Sequence, residues 1–128
     1  MDEYGLDDLM PLSRAIRSTS EAAMRGKIAE LRDGTYRNTI QCEGFDGPVT
    51  FAVTIEKKGD GVAFDFTGTS GCVRAGVNVP FCYTNAMALH AIKSLLLPTI
   101  PHNAGSIAPI SVFAPLGCIL NAQHPFAT

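Results

Sequence analysis

Val49-Thr50-Phe51-Ala52-Val53-Thr54-Ile55-Glu56, joined through Lys57-Lys58-Gly59-Asp60-Gly61 to Val62-Ala63-Phe64-Asp65-Phe66-Thr67, decides the fold. Val49, Phe51, Val53 and Ile55 alternate with Thr50, Ala52, Thr54 and Glu56. Val62, Phe64 and Phe66 alternate with Ala63, Asp65 and Thr67. Successive side chains of a strand point to opposite faces, so this period makes two strands with one apolar face each. The Gly-Asp-Gly joint is turn chemistry, which pairs the strands antiparallel.

Upstream, Tyr36, Asn38, Ile40 and Cys42 alternate with Arg37, Thr39 and Gln41, and Glu43-Gly44-Phe45-Asp46-Gly47-Pro48 is a second turn-rich joint. The three strands therefore form an antiparallel meander. Before them, residues 7–33 read as a helix. Leu9, Leu12, Ile16, Ala23, Ile28 and Leu31 give a stripe with a step of three to four residues. Pro11 fits the first turn, Asp7 or Asp8 suits the N-terminus, and Asp33-Gly34 stops the helix with Gly34 in the left-handed position. Arg14, Arg17, Arg25, Lys27 and Arg32 lie mostly off the stripe, as a solvated face does.

Downstream, residues 68–80 form a glycine-bearing connection. A helix over residues 84–97 follows, with Thr84 or Asn85 as its cap and Pro98 as its stop. Met87, Ala88, Ala91 and Leu95 make it apolar on several sides, which predicts a buried helix. Two short apolar runs, residues 107–113 and 118–120, flank Pro115-Leu116-Gly117 and read as a hairpin. The expected fold is α+β, a single domain over residues 1–128. It has a three-stranded antiparallel meander, two covering helices and a short C-terminal β hairpin.

The length of 128 residues suits one domain, and a hydrophobic fraction of 46% is enough for a core. A net charge of −2 offers no basic footprint for nucleic acid or an anionic membrane. The longest apolar run is far too short to cross a bilayer, and the acidic Met1-Asp2-Glu3 is unlike a secretory leader. The expected setting is cytoplasmic. Cys42, Cys72, Cys82 and Cys118 have irregular spacing and no CxxC pair, so they read as separate reduced thiols. His90, His102 and His124 form neither HxxxH nor HxH, so no self-contained zinc site is expected.

The candidate chemistry lies in polar loops. Asp65, on the polar side of its strand, could orient a substrate, hold a metal or move a proton; the alternative is a turn-capping carboxylate. Thr67, Gly68, Thr69, Ser70 and Gly71 carry hydroxyls and amides able to face an anion, or else form a structural turn. No GxxxxGK[ST] phosphate loop is present. Asn78 and Asn103 sit beside Pro80 and Pro101, where their amides lock loops or contact a polar ligand. His102 has no visible catalytic partner, and Ser70 or Cys72 would need a nearby base to act as a nucleophile. Asp65, Thr67, Thr69, Ser70, Asn78 and Asn103 are the substrate-binding candidates. No catalytic residue and no metal ligand is assigned.

The order of short motifs carries more than any one of them. Asp33-Gly34-Thr35-Tyr36 is followed by Asp65-Phe66-Thr67-Gly68-Thr69-Ser70, Asn78-Val79-Pro80 and Ile100-Pro101-His102-Asn103-Ala104-Gly105. Ile107-Ala108-Pro109-Ile110 and Ala114-Pro115-Leu116-Gly117-Cys118-Ile119-Leu120-Asn121 complete the series, and Tyr4-Gly5-Leu6 precedes it. In that order the chain resembles the hydantoinase B/oxoprolinase family over nearly its whole length. Two positions depart from the family pattern. Ala122 stands where proline usually follows Asn121, and Ala108 stands where arginine is frequent, which removes an anion-binding side chain there.

The resemblance implies an internal segment of a larger subunit of an ATP-dependent enzyme that opens cyclic amides such as hydantoins or 5-oxoproline. A segment of a related acetone-type carboxylase or a non-catalytic interaction module is the alternative. It implies as partners the remainder of the subunit and a hydantoinase A-like ATP-binding subunit or region. It places ATP, Mg and a divalent metal outside this chain. The segment by itself is expected to be inactive.

Overall fold

The computed structural model describes residues 8–128; Asp7 and the Tyr4-Gly5-Leu6 stretch lie outside the described residues. The elements in chain order are α1 (Met10–Ala29), β1 (Gly34–Cys42), β2 (Val49–Lys58), β3 (Gly61–Asp65), α2 (Phe81–Leu96), α3 (Ala104–Ile107) and β4 (Ile110–Phe113). The sheet order is β1-β2-β3-β4. β1, β2 and β3 form the antiparallel meander that the alternation predicts, with Ile40 opposite Phe51 and Ile55 opposite Phe64. The two-residue joint Gly59-Asp60 closes the tighter hairpin, and Gly59 takes the positive φ (60°) that a side chain resists.

All three helices lie on one face of the sheet. Met24 and Ile28 of α1, Leu89 of α2 and Ile110 of β4 meet Val62 and Phe64 in a single core cluster, with Ile107 of α3 packed against it. The core is therefore centred on β3 and β4. Burial falls away across the sheet: the residues of β1 are exposed apart from half-buried Gly34, with Tyr36 at 50% and Ile40 at 52%. The two longer helices cover only half of the apolar face.

Several local expectations are corrected. The tail gives one strand and a loop rather than a hairpin. β4 joins β3 in parallel, Val62 opposite Ile110, after the crossover through α2 and α3. The second run does not pair back because its backbone is engaged elsewhere: Ile119 bonds to Ser70 and Val79, Leu120 accepts from Thr84, and the flanking residues close a loop. Gly117 N–H donates to the Asn121 carbonyl, Asn121 N–H to the Cys118 carbonyl, and Asn121 Nδ2 to the Ala114 carbonyl. Only an isolated bridge ties Cys118 to Gly71.

α1 ends at Ala29 with Glu30 as its C-cap, and Gly34 opens β1 without a left-handed φ. α2 starts three residues early, at Phe81 behind Pro80. Thr84 is not its cap: the Thr84 hydroxyl donates to the Leu120 carbonyl at 2.6 Å, a long-range bond invisible to local pattern.

Candidate functional site

The polar cluster begins where β3 stops. Asp65 Oδ1 accepts from both the backbone N–H (2.8 Å) and the hydroxyl (2.6 Å) of Thr67, so the carboxylate folds over the turn that follows it. The Thr67 hydroxyl, then its amide, hold the Asp65 carboxyl below the usual carboxylate range. Gly68 turns the chain with φ 97°, and Thr69 N–H closes the turn on the Phe66 carbonyl. This geometry keeps Asp65 ionised and acceptor-only near neutral pH, with Thr67 beside it at the exposed tip.

Thr69 and Ser70 continue the sheet past the end of β3. The Thr69 hydroxyl accepts from Ala52 N–H and donates to the Ala52 carbonyl, both at 3.1 Å. The Ser70 hydroxyl accepts from Thr50 N–H at 2.9 Å, while Ser70 N–H donates to the Thr50 carbonyl. Two side chains thus take the place of backbone along β2. Serine and threonine suit this role because each hydroxyl donates and accepts.

Asn78 is the next fixed point. It is 2% exposed. Its Oδ1 accepts from Val73 N–H, and its Nδ2 donates to the carbonyls of Val73, Ala75 and Ala127. Ile119 joins the two loops, donating to the Ser70 carbonyl and accepting from Val79 N–H. Asp65, Thr67, Thr69, Ser70 and Asn78 therefore belong to one connected group of loops. Asn103 does not. Its Oδ1 caps α3 by accepting from Gly105 and Ser106 N–H, and its Nδ2 donates to the Ser20 hydroxyl of α1 at 2.8 Å. Gly105 lies so close to the Arg17 carbonyl that a methyl group there would overlap it. The Asn103-Ala104-Gly105 loop is a helix-to-helix joint away from Asp65.

Nucleotide and metal chemistry find no fit in this loop group. The amides of Thr67, Thr69 and Ser70 are directed at acceptors within the chain rather than at a shared anion position. Among the described residues no three His, Cys, Asp or Glu side chains converge. Cys42, Cys72, Cys82 and Cys118 are free thiols, and His102 is exposed. Among the described residues no helix is long and apolar enough to cross a membrane.

The feature that local pattern does not predict is an apolar groove of about 490 Å³ between the sheet and α2. Phe51, Val53 and Phe66 line its floor, and Tyr83, Met87 and Val77 its rim. The legible signal was the mismatch between three apolar-faced strands and the two helices available to cover them.

Comparison with known proteins agrees with this architecture. The hydantoinase B/oxoprolinase family model matches residues 1–128. The B component of a putative D-/L-hydantoinase from a Pseudomonas species is 32% identical over 142 residues, covering 100% of this chain and 24% of that protein. The fold recurs in the crystal structure of an ATP-dependent caprolactamase from Pseudomonas jessenii, with TM-score 0.76 and 23% identity. That match covers 97% of this chain and 22% of the other. An acetone carboxylase in its nucleotide-free structure has TM-score 0.72 at 15% identity, covering 85% of this chain and 16% of that one. The chain spans between 10% and 24% of the length of the curated relatives it matches. Matched by the family model from end to end, this chain belongs to the hydantoinase B/oxoprolinase family.

Proposed function

We propose that the chain is an internal α+β segment of a larger, cytoplasmic, ATP-dependent enzyme that opens cyclic amides of the hydantoin or 5-oxoproline type. The end-to-end family match carries this reading. It is supported by the relative named as the B component of a hydantoinase, of which the chain would be about a quarter. ATP, Mg and a divalent metal belong to other parts of that enzyme in this reading, including a hydantoinase A-like ATP-binding partner. The loop amides of this chain, already engaged, are consistent with that division.

Within the segment, Asp65 and Thr67 are the pair proposed to face substrate. They stand at an exposed turn, and the carboxylate is ionised and oriented. An ionised carboxylate there would accept a ring N–H of a cyclic amide, which a carboxamide in its place would do less strongly. Thr69, Ser70 and Asn78 are proposed to act through that turn by fixing it to β2 and to the neighbouring loop. Asn103 would contribute by seating α3 on α1.

The test is Asp65→Asn in the complete enzyme with its ATP-binding partner. The expected result is a fall in kcat/KM of about tenfold or more, as for loss of a charged hydrogen bond, with the melting temperature near that of the parent. An unchanged kcat/KM, or a loss explained entirely by unfolding, would assign Asp65 to the turn alone. The likeness to the acetone carboxylase makes acetone with bicarbonate a necessary second substrate in the same assay.

A further inference from the structure

The half-covered sheet carries an inference that rests on the reading of the chain as a segment of a longer polypeptide. α1 and α2 bury β3 and β4, whereas β1 and the groove beside β2 stay open. The open strip is about one helix wide. Neighbouring strands are about 4.8 Å apart, so β1 and β2 offer a strip roughly as wide as one helix, about 10 Å with its side chains.

The side wall has the matching chemistry. Tyr83, Met87 and Ala91 follow one another at intervals of four along α2, and all three are exposed although apolar. They lie outside the core cluster that Leu89 enters. Ala91 leaves room for a close neighbour. The floor continues from Phe51 onto Ile40 in the next strand, and Tyr36 lies opposite Ile55; Asn38, opposite Val53, is the polar residue in this otherwise largely apolar row.

We propose that an amphipathic helix from the same, longer polypeptide lies in this groove beside α2 and completes the helical layer over β1 and β2. The share of chain outside the matched region favours this occupant. The hydantoinase relative and the caprolactamase are each more than four times as long as the segment they share with this chain. A tethered helix also meets the groove at high effective concentration, which a separate partner does not. A second copy fits less well, because a two-fold pairing would set concave surface against concave surface. A contiguous apolar surface of this kind on a soluble protein marks a covered interface.

The test compares the 128-residue chain with the full-length subunit that contains it. Met87→Cys, in a Cys42→Ser and Cys82→Ser background, is alkylated with a maleimide and followed peptide by peptide. In parallel, photo-methionine at Met87 in the full-length subunit is cross-linked and mapped by mass spectrometry, which needs no substitution and survives any failure of the variant to fold. The expected result is alkylation at least about tenfold slower in the full-length subunit, as for a site reached only by local opening. The expected cross-link joins Met87 to a peptide of the same polypeptide with apolar residues at helical spacing.

Equal alkylation rates would overturn the proposal. So would a cross-link to a second copy, to another protein, to a segment without helical spacing, or protection traced to a bound small molecule. If no longer reading frame encloses this sequence, the segment reading itself falls, and that failure is visible before any labelling is done.

Discussion

Lys57 Nζ lies 2.6 Å from Asp33 Oδ1 and 2.6 Å from the Leu31 carbonyl, joining the end of β2 to the chain that leaves α1. Lys57 is only 5% exposed, on the apolar side of its strand, and Asp33 also accepts from Gly59 N–H. One ammonium group thereby fixes the start of the meander, and the two acceptors explain how a lysine is tolerated there. Lys57→Met is expected to lower unfolding stability by about 1–3 kcal/mol, because both acceptors lose a charged donor while the stem is preserved. Chemical denaturation at neutral pH measures it, and a change near zero would deny the pair a structural role.

Asp33 gives this contact a pH signature. The hydrogen bond from Lys57, then its charge and the Gly59 amide, hold the Asp33 carboxyl below its ordinary value. A carboxyl depressed in the folded state contributes stability that is present above the unfolded pKa, about 3.9, and is lost as pH falls through the folded value. Asp65 has the same sign through Thr67. Stability is therefore expected to decline below about pH 4, and Asp33→Asn to flatten that decline. An acid limb identical in the variant would remove Asp33 from the account.

Two glycines in helical segments should respond oppositely to the same substitution. Gly105→Ala places a methyl group against the Arg17 carbonyl and must push α3 off α1. A loss of about 1–3 kcal/mol is expected, as for overpacking. Gly26→Ala in α1 meets nothing within 4 Å. It should gain roughly 0.5–1 kcal/mol, since glycine in a helix interior is unfavourable relative to alanine. Paired melting curves of the two variants decide the point; the same sign for both would contradict the packing of α3.

The hydroxyls beyond β3 are expected to matter as ladder rungs. Thr69→Val keeps the shape but leaves Ala52 N–H without its acceptor. A loss of about 1–2 kcal/mol is expected, with faster amide exchange concentrated at Ala52 and Thr50. Uniformly faster exchange across the sheet, with nothing local at Ala52, would mean that the hydroxyl does not extend β2.

These contacts show which parts of the chain were legible. The meander was, because Phe51-Val53-Ile55 and Val62-Phe64 alternate with period two and the Gly59-Asp60 joint has the chemistry of a tight turn. The end of α1, the start of α2 and the tail were not, because distant partners set them. Thr84 is drawn to Leu120, Lys57 to Leu31, and Ile119 to Ser70 and Val79. The candidate site was legible as a set of polar residues. Composition could not show that Asn103 leaves that set for α1 while Asn78 and Ser70 remain linked through Ile119. The groove was not read, although three apolar-faced strands stood against only two helices. Apolarity on several sides of α2 predicted burial, but Tyr83 and Met87 face an unfilled space.

In the proposed reading this chain is a scaffold segment whose reaction needs the rest of a longer, ATP-dependent enzyme. The most direct measurement is ATP-dependent ring opening of 5-oxoproline and hydantoin by the purified 128-residue chain, run beside the full-length subunit with its ATP-binding partner. Product is expected from the assembled enzyme and none from the segment. Substrate-dependent turnover by the 128-residue chain alone would contradict it.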